Sequence, residues 1–220
     1  MTQAKSNWKP VLLGALLLAS SVVAMAADTW TQSKSEDGVT ISSRPSPGSP
    51  INDIRSETRM KASMDSIISL MRDYSARPRW DSMCGEIKVL KQEAAAETVY
   101  VHMKMPWPVS DRDLVMRVEW KQDPVTGVVS QHAYGVPEAA PPHEGRVRMA
   151  SFTNDWTFTP MSDGTIAIDS IAHADPGGPL PTWMINKLSA DAPLQAMKKM
   201  KDIANAGYSA KGTTTFMTRH

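Results

Sequence analysis

Residues 103–118 read MKMPWPVSDRDLVMRV. Proline removes a ladder donor and fixes φ, so Pro106 and Pro108 end one strand and hold a stiff loop before the next. Trp107 is thereby carried on a connection, where it either packs back onto the body or waits for a ligand. Beyond the loop, Leu114, Met116, Val118 and Trp120 share one parity, and Asp113, Arg117, Glu119 and Lys121 share the other. Period-two alternation puts the first set inside and the second in water. Before the loop, Val101, Met103 and Met105 oppose Tyr100, His102 and Lys104. Such an inward face is either a filled core or a cavity wall. Methionine specifies a core poorly and adapts to irregular contacts, which favours the wall. Ser110 and Asp111 suit the turn itself, and Arg112 is expected to pair with Asp113 or a neighbouring acid. Exposed pairs of that kind contribute roughly 0–1 kcal/mol and fix loop geometry without doing chemistry.

Outward from this hairpin the chain is mostly strand. Weak alternation over 38–44 precedes the rigid loop RPSPGSP, and 54–61 reads as a polar-faced strand. A short helix is expected over 63–71, capped by Ser63, with Ile67, Ile68 and Met71 on one face and a break at Pro78. Strands are expected over 86–92, 98–105, 112–121, 128–134, 146–159 and 165–174, joined by short turns and one long loop, GVPEAAPPHEG. There is no βαβ rhythm, so the sheet is antiparallel. After the elbow DPGGPLP (175–181), Ile185, Leu188, Ala192, Ala196, Met200 and Ile203 recur at helical spacing, and Pro193 should kink or restart that helix. Residues 208–220 lack apolar periodicity and read as a flexible tail. A curled sheet with one long helix across its concave face satisfies this pattern, and such an arrangement leaves room for a small ligand between them.

Residues 1–26 read as a signal peptide: Lys5 and Lys9 precede an uncharged apolar run over 11–23, and Ala24-Met25-Ala26 offers a cleavage site. The run is too short for a bilayer span, which takes about 20 residues. Export to the periplasm or the medium is therefore expected, with a single domain over 27–207. Subtracting the two lysines takes the net charge from +1 to −1, which argues against a nucleic-acid partner. The lone Cys84 leaves no internal disulfide and reads as a small buried hydrophobe rather than a nucleophile.

Chemistry is sparse. His102, His132 and His173 fall in three different expected strands without metal-ligand spacing, so no metal is expected. No GxSxG elbow, Walker loop or dinucleotide fingerprint occurs, and no cofactor is implied. Asp169, in the last strand, points either to water or inward, where it would need a partner or a ligand's polar head.

YVHMKMPWPVSDRDLVMRV (100–118) and DPGGPLPTWMIN (175–186), with RPRWD (77–81) and WTFTP (156–160) in order around them, resemble the START domain, a lipid-transfer module of the helix-grip superfamily. The resemblance covers roughly residues 30–206. It implies an α+β helix-grip fold: a curved antiparallel sheet wrapped around a long C-terminal helix, with an internal hydrophobic tunnel. It also implies non-enzymatic binding of a lipid or other hydrophobic small molecule for transfer or sensing, by a monomer in transient contact with membranes. The loop over 106–111 and the helix from Pro181 match the family's gate, which makes Trp107 a lid residue. Some relatives place an arginine in the tunnel where this chain has Val118, so its tunnel is expected to be more apolar than theirs. The candidate ligand contacts are Val101, Met103, Met105, Trp107, Leu114, Met116, Val118, Trp156, Asp169, Ile171, Trp183, Met184 and Leu188. Two other readings stay open. An inward Asp169 beside His132 or His173 would point to a helix-grip enzyme of the cyclase or hydrolase kind, and a filled interior under an exposed Trp107 would point to a protein-binding module.

Overall fold

The structure, a computed structural model, describes residues 29–210 and 214–218, with the backbone alone at 182, 183, 186 and 187. The signal-peptide reading of residues 1–26 lies outside the described residues. Among the described residues, ten strands form one sheet: β1 (Thr31–Glu36), β2 (Val39–Arg44), β3 (Asp53–Met60), β4 (Cys84–Gln92), β5 (Ala96–Met103), β6 (Arg112–Gln122), β7 (Val129–Gly135), β8 (Val147–Arg148), β9 (Ser151–Pro160) and β10 (Ile166–Asp175). Their order is β1-β2-β3-β10-β9-β7-β6-β5-β4, antiparallel throughout, with β8 added parallel to the start of β6. Helix α1 (Met64–Arg72) and helix α2 (Thr182–Asn205) complete the α+β helix-grip architecture, in which the curved sheet holds the C-terminal helix.

Differences from the sequence reading have local causes. Strand β1 is exposed at every position, so it carries no apolar alternation to betray it. The expected strand over 146–159 is interrupted where the chain changes partner: Met149 N–H donates to Asp113 O on β6 and Ala150 N–H to Asp175 O on β10. Helix α2 runs unbroken through Pro193 rather than restarting there.

One end of the concave face is filled. Ser63 caps α1 by accepting from Ser66 N–H, and Ile67, Ile68, Leu70 and Met71 enter the core that holds Val99, Val101, Met116, Val118 and Phe158. Glu97, 1% exposed on this inner face, is tolerated because Arg72 Nη2 (3.0 Å), Tyr74 Oη (2.7 Å) and Trp120 Nε1 (2.9 Å) all donate to it. Burial, followed by the Glu97 charge, pushes the Tyr74 phenol well above its usual range. The described residues beyond 207 pack here too, unlike the free tail expected. Tyr208 N–H donates to Ser66 Oγ and its hydroxyl to Asp73, while Phe216 packs against Trp120 and the Arg72 guanidinium.

Candidate ligand cavity

The other end of the concave face is hollow. A cavity of about 260 Å³ lies between α2 and the inner faces of β3, β10 and β9. The sheet side is floored by Ile54 and Ser56 of β3, Ser170, Ala172 and Ala174 of β10, and Asn154 and Trp156 of β9. These residues share one parity across registered strands, since Ser56 pairs with Ser170 and Ala172 with Asn154. Helix α2 roofs it with Ile185, Leu188, Ser189, Ala192, Pro193, Ala196, Met197 and Met200. Seven of these fifteen side chains are serine or alanine, which leaves a gap between sheet and helix.

Polar groups concentrate on the segment after α1 and at the base of the elbow. Trp80 is 2% exposed, with the Arg77 guanidinium 4.0 Å over its ring, and both line the cavity. Arg77 Nε donates to Asp81 Oδ2 at 3.1 Å, and Met83 N–H donates to Asp81 Oδ1. Trp80 Nε1–H is a buried donor without an acceptor among the described residues. On the floor, Ser170 Oγ donates to Asn154 Oδ1 at 2.9 Å. Arg112, 3% exposed, donates to Pro176 O (3.2 Å), Gly177 O (3.0 Å) and Ser110 O. Burial lowers its pKa, since it holds carbonyl dipoles instead of a carboxylate. The elbow fits closely: a Cβ on Gly177, at φ +66°, would stand 3.1 Å from Arg148 O.

The expected surface pairing in Ser110-Asp111-Arg112-Asp113 is thus a buried network. Asp113 is fully buried and receives Arg148 Nε (2.8 Å) and Nη2 (3.0 Å). Burial alone would raise its pKa, but the Arg148 hydrogen bonds and charge outweigh that and hold it below the ordinary range. Asp111 clasps the Pro-Trp-Pro loop at its base, accepting from Met105 N–H (2.9 Å) and His102 Nε2 (2.6 Å). The same two bonds depress its pKa, the Met105 amide first. The His102 ring sits over Gly85, where a Cβ would come within 2.6 Å of Nδ1, so only glycine leaves room for it.

Of the thirteen candidate contacts, Met103, Met105, Trp156 and Leu188 line the cavity. Val101, Met116 and Val118 have the inward parity expected, but they lie where α1 fills the concave face. Leu114 borders a separate hollow in the sheet, and Met184 is fully buried without lining the cavity. Trp107 is 91% exposed and covers nothing, and its peptide bond to Pro108 is cis. Asp169 and Ile171 have the opposite parity to Ser170 and Ala172 and face outward. Arg55 holds Asp169 through Nε at 3.0 Å, while His132 pairs with Asp155 and His173 with Asp53. The inward carboxylate that would favour an enzyme is therefore not what this strand presents. Trp183 lies outside the described side chains. Arg77, Trp80, Arg112 and Met149 escaped the sequence reading as wall residues. RPRWD, with Arg and Asp four apart on one helical turn, was the signal for the first two. Two arginines and an aspartate, Arg77, Arg112 and Asp81, stand in an otherwise largely apolar wall, at positions other than Val118. Cys84 is buried, and that burial pushes its thiol up to about 11.

Residues 17–206 match the START domain family. An uncharacterized protein of Pseudomonas aeruginosa is 32% identical over 197 residues, covering 88% of this chain and 97% of the relative. Human START domain-containing protein 10 is 26% identical over 137 residues, or 62% of this chain and 47% of that protein. The crystal structure of a STAR-related lipid transfer protein fragment from Xanthomonas axonopodis superposes with a TM-score of 0.73 at 28% identity, covering 80% of this chain and 98% of the fragment. Human STARD10 follows with a TM-score of 0.69 at 23% identity, covering 80% of this chain and 72% of that one.

Proposed function

The chain belongs to the START domain family, and we propose that it binds a lipid or similar hydrophobic molecule in the cavity beneath α2, for transfer or sensing, without covalent chemistry. The observation that carries this reading is the hollow itself: a largely apolar wall with the Arg77–Asp81 pair and Arg112 among its few polar groups. Apolar cavities with a few convergent polar groups are how small-molecule sites are built. A ligand with a polar head at the Trp80 end would lie beside the Arg77–Asp81 pair. The similarity to the Xanthomonas STAR-related lipid transfer protein supports the same class of ligand.

In this reading the Pro-Trp-Pro loop meets the membrane. Trp107 stands clear of the body on a loop whose neighbour, Met105, lines the cavity. An indole so placed suits the interface between headgroups and acyl chains. Export, with cleavage near Ala27, belongs to the same proposal, and the protein works as a monomer without a cofactor.

Native mass spectrometry of protein purified from its own host tests the reading. The expected result is a co-purified lipid that is displaced when Ala196, on the cavity face of α2, is replaced by tryptophan. Protein that carries no small molecule and takes up none from lipid vesicles would refute it. Amino-terminal sequencing of the same material tests export, and a chain starting at Met1 would overturn that part.

A further inference from the structure

The main cavity, at about 260 Å³, falls short of the roughly 300–1,000 Å³ usual for sites that enclose drug-sized ligands. A second chamber of about 220 Å³ lies beside it, and buried Met149 lines both. The second chamber exists because the sheet parts there. Strand β6 pairs with β8 at Arg112 and Asp113 and with β7 from Met116 onward; between the two ladders Val115 O accepts from Val136 N–H at 2.8 Å, and the opening lies beside Leu114 and Val115. Strand β7 ends opposite Met116 at Gly135, which has no side chain to close the gap. The roof is the loop over 136–148, and Arg148 fixes it: Nη1 donates to Pro137 O (2.6 Å) and Ala140 O (3.1 Å), and Nη2 to Pro141 O (3.0 Å). The chamber is thus pre-formed, and Leu114, Val115, Pro137 and Phe152 make much of its wall apolar.

We propose that the Met149 side chain is a movable partition, and that the second chamber takes the far end of an aliphatic chain whose remainder fills the main cavity. The Met149 amide is fixed by its bond to Asp113 O, but its side chain turns about three bonds and is unbranched, so it can vacate the passage without moving the sheet. The two spaces joined reach the range a lipid chain needs. This inference rests on the lipid-binding reading above and adds to it a ligand with at least one long aliphatic chain.

The test offers an equimolar mixture of decanoic, myristic and stearic acids to the delipidated full chain and reads the bound acids by native mass spectrometry. Three proteins are compared: wild type, Met149→Ala, which removes the partition, and Ser151→Trp. Ser151 is exposed and borders only the second chamber, so a tryptophan there plugs it from outside. Wild type should favour the long acids. Ser151→Trp should lose roughly fourfold in affinity for each methylene it keeps out while holding decanoic acid unchanged, and Met149→Ala should shift further toward stearic acid. One shared chain-length profile in all three proteins would overturn the partition and leave the lipid-binding reading standing. Failure of wild type to hold any acid would overturn both. Should Ser151→Trp fail to fold by circular dichroism, the comparison of wild type with Met149→Ala decides alone.

Discussion

Replacing Arg112 by methionine should loosen the elbow that leads into α2. The side chain is 3% exposed and its hydrogen bonds run to three backbone carbonyls, two of them on the elbow at Pro176 and Gly177. A hydrogen bond to a charged group contributes about 1.5–3 kcal/mol. Methionine recovers part of that loss by removing a buried charge that costs several kcal/mol to desolvate. Pro176 borders the cavity, and with the charge removed the net destabilisation should be roughly 2–4 kcal/mol. Because the elbow is the fixed point from which α2 roofs the cavity, release of a bound fluorescent fatty acid should accelerate as well. Arg112→Lys keeps the charge but not the planar fork, so it should fall between. Urea denaturation and stopped-flow release measure the two effects. A variant that unfolds at the wild-type urea concentration and releases ligand at the wild-type rate would refute the role given to Arg112. Lost stability with unchanged release would uncouple the elbow from the roof.

Three further outcomes follow from the same geometry. Trp107→Ala should leave the unfolding free energy unchanged, because the side chain is 91% exposed, where a core tryptophan would cost about 3–5 kcal/mol; its effect should appear as weaker sedimentation with phosphatidylcholine vesicles. Val118→Arg should cost about 3–5 kcal/mol in a melting experiment, because Val118 is fully buried opposite Glu97, whose oxygens Arg72, Tyr74 and Trp120 already engage. Asp113 has a folded-state pKa below its unfolded value of about 3.9, so the stability it contributes is present above about pH 4 and is lost as pH falls through the folded value. The gap in urea midpoint between wild type and Asp113→Asn should therefore be widest near neutrality and narrow below about pH 4.

The sheet could be read from the chain because apolar residues alternate along β5 and β6 around the Pro-Trp-Pro loop and recur at helical spacing in α2, although both faces of β5 and much of β6 are buried. Parity says which face a residue occupies but not how far along the concave surface it lies. That is why Val118 and Met116 were expected beside a ligand and sit instead against the residues α1 brings in. The real wall was harder to see because it is made of what is missing. Ser56, Ser170, Ala172 and Ala174 give no strong apolar signal, and their smallness matters only opposite Ala192 and Ala196 of α2, which are distant in sequence. Arg112 and Asp113 looked like a surface pair because their true partners are carbonyls of the elbow and Arg148, which are separated from them by long stretches of chain.

Small side chains along the cavity forgo packing that larger ones would supply, and that is evidence about use. Burying a leucine side chain there in place of alanine would contribute on the order of 2 kcal/mol, against a typical domain stability of about 5–15 kcal/mol. A sequence under pressure for stability alone would have closed it with larger side chains at Ala172 or Ala196, positions whose backbone needs no change to carry them. Ala172→Leu should therefore raise the urea midpoint of the delipidated protein, by part of that figure, and weaken fatty-acid binding in the same variant. Stability and binding would move in opposite directions, which a packing defect cannot produce. A leucine that stabilises the protein while fatty acids still bind as before would mean that the hollow is not where the ligand sits.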